Sequence, residues 1–466
     1  MIHPPLSVST TRRMCAGVAV ALAFLCVAPA VAAAARQQMP APATSGSSDT
    51  PPPASASAPA AEPTLEAGKI REYTLSPERR AQAIAYSNAR YRLYFLGVVL
   101  EVAVLMLVLG GGLGPRFRNW AERLSRRRVA QALVFAPLFL LTLSVLEMPL
   151  SIRGHWLERY YDQSVQGWGS WLWDWAKGQM IGLLIGTLLI WILYAVIRRS
   201  PRRWWFYFWL ASLPIILFIV LIEPLVIQPL FFKFEPLART QPALVAEIGK
   251  VVERGGLAIP PERMFEMKAS EKLKSHNAYV SGFGPSKRVV VWDTTIQKMT
   301  LPQILFVFGH EMGHYVLDHI PKVIGFTAAI LLLFLFIGFR GLRWALGRWG
   351  GRSGIRGVED WASLPVLWLI FTALSFLGAP LFNAYSRHLE HDADIYGLEV
   401  IHGLVADSPR VAGEAFQVLG EADLSDPDPS RFIKVWLYSH PPMGERVVFA
   451  QQYDPWSKGE APKFVK

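Results

Sequence analysis

Cysteine is nearly absent from this 466-residue chain, occurring only as Cys15 and Cys26, both inside one N-terminal apolar stretch. The rest of the chain therefore has no disulfide framework and no cysteine-ligated metal. Charged residues are also scarce, at 18% against about 25% in ordinary soluble domains. Acidic residues are outnumbered by basic ones, 36 to 47, for a formal net charge of +11. That excess does not mark a polyanion binder. The arginines stand in short loops between apolar runs rather than along one face, which argues against nucleic acid as a partner. No internal repeat is found, which removes solenoid architectures.

Apolar residues are what the chain has in quantity: 52% of it is hydrophobic, with 17 Trp and 26 Phe. In residues 1–36, Arg12 and Arg13 precede an apolar run from Cys15 to Val31 and an alanine-rich end. This is the pattern of a signal peptide or an uncleaved N-terminal anchor. Residues 37–66 are rich in Pro, Ala and Ser and too poor in large apolar groups to fold, so they read as a disordered linker. Six further apolar runs lie near 94–113, 130–150, 178–197, 204–230, 323–339 and 362–382. Each approaches the roughly 20 residues that cross a hydrocarbon core. Pro224 and Pro229 should end the fourth span or turn it along the interface.

The expected fold is an all-α polytopic membrane protein of six to seven transmembrane helices, with a zincin-like catalytic part containing a small β-hairpin. Residues 67–232 hold the N-terminal membrane helices, 233–322 a catalytic segment, 323–382 a transmembrane hairpin and 383–466 a C-terminal catalytic part. Loop charge sets the expected orientation. Arg116, Arg118, Arg123, Arg126, Arg127 and Arg128 follow the first of the six spans, and Arg198, Arg199, Arg202 and Arg203 follow the third. Arg340, Arg343, Arg348, Arg352 and Arg356 join the last two. The positive-inside rule makes these three loops cytoplasmic. Alternation then puts the linker, the Trp-rich loop 151–177, the catalytic segment and the C-terminus on the extracytoplasmic, periplasmic side. Trp168, Trp171, Trp173 and Trp175 read as an interfacial belt.

The chemistry concentrates in Phe308-Gly309-His310-Glu311-Met312-Gly313-His314. Histidines four apart share one helix face, so His310 and His314 can converge on one metal ion, with Glu311 in reach of its water as general base. The helix is well signalled, because Thr300-Leu301-Pro302-Gln303 is a capping box with a first-turn proline. Such a zinc site needs a third protein ligand. A glycine and a histidine at 317 and 320 would supply it locally, but Leu317 and Ile320 stand there. The last two spans form a hairpin that returns the chain beside this helix, at Ser386-Arg387-His388-Leu389-Glu390-His391-Asp392-Ala393-Asp394. Glu390 and Asp394 share a helix face. Glu390 would complete a His2Glu site, and Asp394 would accept from a ligating imidazole and fix its tautomer. His388 and His391 are rival ligands, less well aligned with that face. His155, His319 and His402 read as structural.

Taken together, these motifs resemble the type I CAAX prenyl protease family of integral-membrane HExxH zinc metalloendopeptidases. The matching residues are His310-Glu311-x-x-His314 and Ser386-Arg387-x-x-Glu390-x-x-Ala393-Asp394. Others are Ile222-Glu223-Pro224 through Pro229-Leu230-Phe231 with Lys233-Phe234, His276-Asn277-Ala278-Tyr279 with Gly282, Trp292-Asp293-Thr294, and Ser439-His440-Pro441-Pro442 with Glu445-Arg446. The resemblance spans roughly residues 80–450 and implies one Zn2+ per chain, held by His310, His314 and Glu390, with Glu311 as catalytic base. It implies Asp394 as the acidic partner, described in such families as a proton donor, and lifts His440 to a donor for the developing oxyanion. Asn277, Ala278, Tyr279 and Arg446 are the expected substrate-binding residues. The segments Asn277–Ser281 and Arg288–Trp292 flank a Gly-Pro-Ser turn and read as the β-hairpin, whose edge could pair with a substrate backbone. The family's yeast and animal members carry seven spans with the catalytic side in the cytosol, whereas loop charge here places it opposite. The expected partners are peptide or protein substrates at the membrane and the lipid bilayer itself; nothing in the pattern specifies an oligomer. The rival readings are a helical transporter or channel with a structural zinc, and an inactive relative that only holds substrate.

Overall fold

The structure, a computed structural model, describes residues 72–282 and 287–465. The signal-or-anchor segment 1–36 and the linker 37–66 lie outside the described residues. Among those described, six helices are long and apolar enough to cross a membrane. They are α1 (Pro77–Gly110), α3 (Arg128–Tyr160), α4 (Trp168–Arg199), α5 (Trp204–Ile222), α9 (His319–Trp349) and α10 (Leu364–Ile401). Each of the six predicted runs coincides with one of these helices; α5 stops short of its run, at Ile222, whereas α1, α3, α4, α9 and α10 extend well beyond theirs at one end or both. A chain leaving the bilayer keeps its backbone hydrogen bonds if it simply continues as a helix. The segments read as loops are therefore shorter than expected, and part of the arginine-rich stretch after α1 is itself a helix, α2 (Leu113–Leu124).

Local signals explain the ends. Ser76 caps α1, its Oγ accepting from Arg79 N at 3.2 Å, with Pro77 in the first turn. Past α5, Pro224 and Pro229 convert the helix into a π turn over Glu223–Ile227 and a 3-10 turn over Gln228–Leu230, which is the predicted end of the span. Outward faces of the spans carry exposed Val99, Leu133, Leu184, Phe218, Leu333 and Leu377, as a lipid-facing surface requires. Inside, Phe135, Phe139, Trp361, Trp368 and Phe371 close the bundle. Glu101 of α1 is buried there, accepting from Thr372 Oγ1 at 3.1 Å and Trp368 Nε1 at 3.3 Å on α10. Trp209 Nε1 donates to Ala328 O at 2.8 Å, tying α5 to α9.

The three arginine-bearing loops meet at one end of the bundle. Arg118 on α2 donates to Asp360 Oδ2 at 2.5 Å, and Arg198 lies 4.2 Å over the Trp361 ring. Asp360 and Trp361 lead into α10, so its N-terminus is fixed at the arginine end and its C-terminal part lies at the other.

That other end holds the part expected to be catalytic. Its elements are β1 (Phe234–Pro236), α6 (Pro242–Arg254), β2 (Met264–Met267), β3 (Ala278–Ser281), β4 (Arg288–Trp292), α7 (Asp293–Lys298) and α8 (Leu301–Val316), followed beyond the hairpin by α11 (Ser408–Ala422), α12 (Arg431–Leu437) and α13 (Met443–Gln452). The predicted hairpin is present, with Ala278 opposite Val291 and Ser281 opposite Arg288. It is half of a larger mixed sheet ordered β1-β2-β4-β3, in which β2 runs parallel to β4. α8 is the centre of this part, packed by α6, α10, α11 and β3, and its buried residues include Phe306, Val307, Phe308 and Met312.

Candidate metal centre

α8 starts at the predicted capping box: Gln303 Oε1 accepts from Thr300 N at 3.0 Å, and the Thr300 side chain accepts from the Gln303 backbone N–H. Its contact with α10 is close because both helices lack side chains there. A Cβ added to Gly397 would stand 2.9 Å from His310 N, one on Gly309 would stand 2.7 Å from Val400 Cγ1, and one on Gly313 would stand 3.0 Å from Tyr396 Cβ. Gly309 and Gly313 are one turn apart, a small-xxx-small face of the kind that lets helix backbones approach. This contact lays the Glu390–Asp394 face of α10 directly on the His310–His314 face of α8.

The result is a converging donor set. His310 Nε2 and His314 Nε2 are 3.2 Å apart, and the Glu390 oxygens lie 3.3 Å from the first and 3.5 Å from the second. Donors about 2.0–2.1 Å from one tetrahedral ion sit about 3.4 Å from each other, so three groups with these separations could hold one metal ion. Among the described residues this is the one cluster of His, Cys, Asp and Glu with such spacing. A buried imidazole, a half-buried one and a buried carboxylate, with no thiolate, suit a borderline divalent cation. Burial also holds the His314 imidazole well below the usual histidine range, which keeps it in the neutral form that a ligand requires. Glu311, next in sequence to His310, is buried beside the cluster.

Behind the donors lies a fully buried charge relay. His310 Nδ1 faces Asp394 Oδ1 at 2.7 Å. Arg446 of α13 grips that carboxylate with both arms, Nη2 to Oδ1 at 2.5 Å and Nε to Oδ2 at 2.9 Å, while its guanidinium covers the Phe416 ring at 4.2 Å. His440 sits on the opposite side of the ligand carboxylate, its Nε2 3.1 Å from Glu390 Oε2 and its Nδ1 2.9 Å from Ser439 Oγ. His310, Glu311, His314, Glu390, Asp394, His440 and Arg446 are thus one cluster. Arg446 stands in it behind Asp394, which differs from a place on the substrate surface. The rivals His388 and His391 point away: the first is exposed and the second packs on Phe449.

The other expected substrate residues lie on β3, the sheet's edge strand against α8. Asn277 leads into it, its N–H donating to Thr295 Oγ1 at 2.7 Å and its carbonyl accepting from Trp292 N at 3.0 Å. The Tyr279 hydroxyl turns away to donate to Gln228 Oε1 at 2.7 Å. Arg288 Nη2 donates to the same oxygen at 2.7 Å and Gln228 Nε2 donates to Glu223 at 3.2 Å, so the turn after α5 is bolted to the sheet.

The chain is similar to known proteins over most of its length. Residues 238–454 match the profile of peptidase family M48, and residues 69–233 match that of the CAAX prenyl protease N-terminal segment of five membrane helices. A Bacillus subtilis protein named "Uncharacterized metalloprotease YhfN" is 32% identical over 378 residues, covering 81% of this chain and 87% of the relative. The chain belongs to peptidase family M48. The human CAAX prenyl protease 1 homolog is 25% identical to this M48 peptidase over 407 residues, covering 76% of the chain and 82% of the relative. The crystal structure of S. mikatae Ste24p superposes with a TM-score of 0.69 at 22% identity, covering 83% of this chain and 93% of that one, and shows the same fold. This M48 peptidase is therefore an integral-membrane metalloendopeptidase, a hydrolase whose family implies a metal cofactor.

Two parts of the site escaped sequence reasoning. The glycine face was present in the motif itself, as Gly309-x-x-x-Gly313, but was read only for its histidines. His319, set aside as structural, has its Nδ1 3.0 Å from His314 Nδ1.

Proposed function

We propose that this peptidase holds one zinc ion between His310, His314 and Glu390 and hydrolyses peptide bonds of membrane-associated proteins or peptides on the extracytoplasmic, periplasmic side of the cytoplasmic membrane. The observation that carries the reading is the mutual spacing of the three donors. Zinc bound there would supply a water acidified towards a pKa of about 7 and a Lewis acid for the scissile carbonyl.

The protein's own residues do the rest. Glu311 accepts the proton of the attacking water on its carboxylate and delivers it to the leaving amine. Asp394, held by Arg446, keeps the proton of His310 on Nδ1 so that Nε2 offers a lone pair. His440 donates from Nε2 to the oxyanion as it develops. The β3 edge pairs with the substrate backbone, which admits many side chains and leaves selection to membrane access. Prenylated substrates follow only by analogy with the CAAX-named relatives. Prenyl groups are added in the cytosol, and the meeting of the arginine loops at the far end of the bundle favours the other side for the site.

Purified protein should contain one zinc and lose peptidase activity to a strong chelator. Glu311→Gln should keep the metal and lose activity by about 10²–10⁴-fold or more, while Glu390→Ala should lose metal as well; full zinc occupancy in Glu390→Ala would refute the ligand set. For the side, single cysteines at Glu262 and Arg352, both exposed, are introduced after replacing Cys15 and Cys26. An impermeant thiol reagent on intact cells should label position 262 and spare 352; the reverse pattern places the site in the cytoplasm.

A further inference from the structure

The two histidines of the motif have different neighbours behind them. His310 Nδ1 faces a carboxylate, Asp394, at 2.7 Å, and that carboxylate is held by Arg446. His314 Nδ1 faces another imidazole, that of His319, at 3.0 Å. His319 is 2% exposed, and its ring stands edge-on to the His314 ring with centroids 5.0 Å apart. Five residues separate the two, a spacing that a continuous helix would not bring together. The chain breaks at Asp318, whose φ of +55° is in the left-handed region that Asp tolerates. The break ends α8, starts α9, and turns the first residue of the membrane helix back onto the metal-site histidine.

We propose that His319 is a positioning residue for the metal site, accepting a hydrogen bond on its Nδ1 from His314 Nδ1–H and so fixing the tautomer and ring plane that present His314 Nε2. The inference rests on the reading of His310, His314 and Glu390 as metal ligands. The tautomer logic is strict. A neutral imidazole that gives Nε2 to a metal carries its proton on Nδ1, so the atom 3.0 Å away has to be an acceptor. His319 then carries its own proton on Nε2, a buried atom with no hydrogen-bond partner among the described residues. With that group unpartnered, the ring is held there by packing and by the turn at Asp318 rather than by its second nitrogen. The ligands are thereby supported unequally, His310 by an anion and His314 by a neutral ring at the root of a membrane span.

The test compares two replacements of nearly equal shape on the full chain in detergent. Asparagine places an acceptor near the original Nδ1, and leucine does not. Zinc affinity is measured by competition with a chromophoric chelator, and folding is checked by the thermal melt of the metal-free protein. His319→Leu should bind zinc about 10–100-fold more weakly than the native chain, the range for lost outer partners, and His319→Asn should recover most of that loss. Equal affinity of His319→Leu and the native chain overturns the proposal, as does an equal loss in His319→Asn and His319→Leu. If His319→Leu melts early, His319→Phe, which keeps the ring volume, takes its place in the same comparison. His310→Ala is the control: if it retains zinc, the ligand set itself is wrong, whereas its loss of zinc beside a native-like His319→Leu sinks the inference about His319 alone.

Discussion

The membrane half and the catalytic half invert each other. In the membrane half, Val99, Leu133, Phe218 and Leu377 face outward and aromatic rings fill the centre. In the catalytic half, the charges go inward: His310, Glu311, Glu390, Asp394 and Arg446 are all buried. Lipid gives helices no hydrophobic reason to associate, so the spans rely on van der Waals packing and a few polar ties such as Glu101–Thr372. A buried charge in the catalytic half needs a partner instead, because an unpaired one costs several kcal/mol. Each half nevertheless contains one deeply buried Arg–Asp pair, Arg118–Asp360 at the arginine end and Arg446–Asp394 behind the site. The same bond does different work in the two places.

Substituting both arginines gives the largest expected effects and separates those roles. Arg118→Met and Arg446→Met should each cost about 3–5 kcal/mol, the usual penalty for leaving a buried carboxylate alone, read as a lowered melt in detergent. Only Arg446→Met should also weaken zinc binding, since only Asp394 touches a proposed ligand, His310. Equal zinc affinity in the two variants would erase the distinction.

Glycine substitutions sharpen the comparison at a smaller scale. Gly397→Val drives new atoms into the backbone of His310, which has no room to yield. It should cost about 1–3 kcal/mol or more and lower zinc content. Gly325, on a lipid-facing turn of α9, has nothing within 4 Å of a built Cβ. Gly325→Ala should stabilise by about 0.4–1 kcal/mol through the unfolded chain, with zinc content and turnover unchanged; a loss there would mean that this surface is packed against something.

The sequence was most legible where a pattern repeats. Spans showed as long apolar runs, and the metal-site helix showed through its capping box and paired histidines. The return of Glu390 beside that helix followed from the requirement that a hairpin crossing a bilayer come back. What stayed hidden was short or non-local. β1 and β2 are three and four residues long, too brief for alternation to register, and β2 pairs in parallel with a strand more than twenty residues away in sequence. α2 was read as a loop because its arginines masked an amphipathic turn whose inner face is Gly114, Phe117, Arg118 and Ala121. The turn after α5 was anticipated from its prolines, yet its bolt to the sheet through Gln228 was not, since a lone glutamine carries no pattern. His319 was set aside as structural, since nothing in the sequence marks the left-handed turn at Asp318 that brings it back onto His314.

The 38-residue helix α10 sets the height at which chemistry happens. At about 1.5 Å per residue, Glu390 lies about 39 Å along the axis from Leu364, whereas the hydrocarbon slab is about 30 Å thick. With its first turn anchored at the arginine-rich surface by Asp360, an upright α10 carries the Glu390 carboxylate, the proposed ligand, through the oily layer and into the zone of headgroups and water on the far side. A peptide bond would then be met at the level of the phosphates, where a hydrolytic water is at hand and a lipid-tethered or membrane-inserted chain first emerges. A thicker bilayer draws that height back into the oil, so turnover should depend on acyl-chain length.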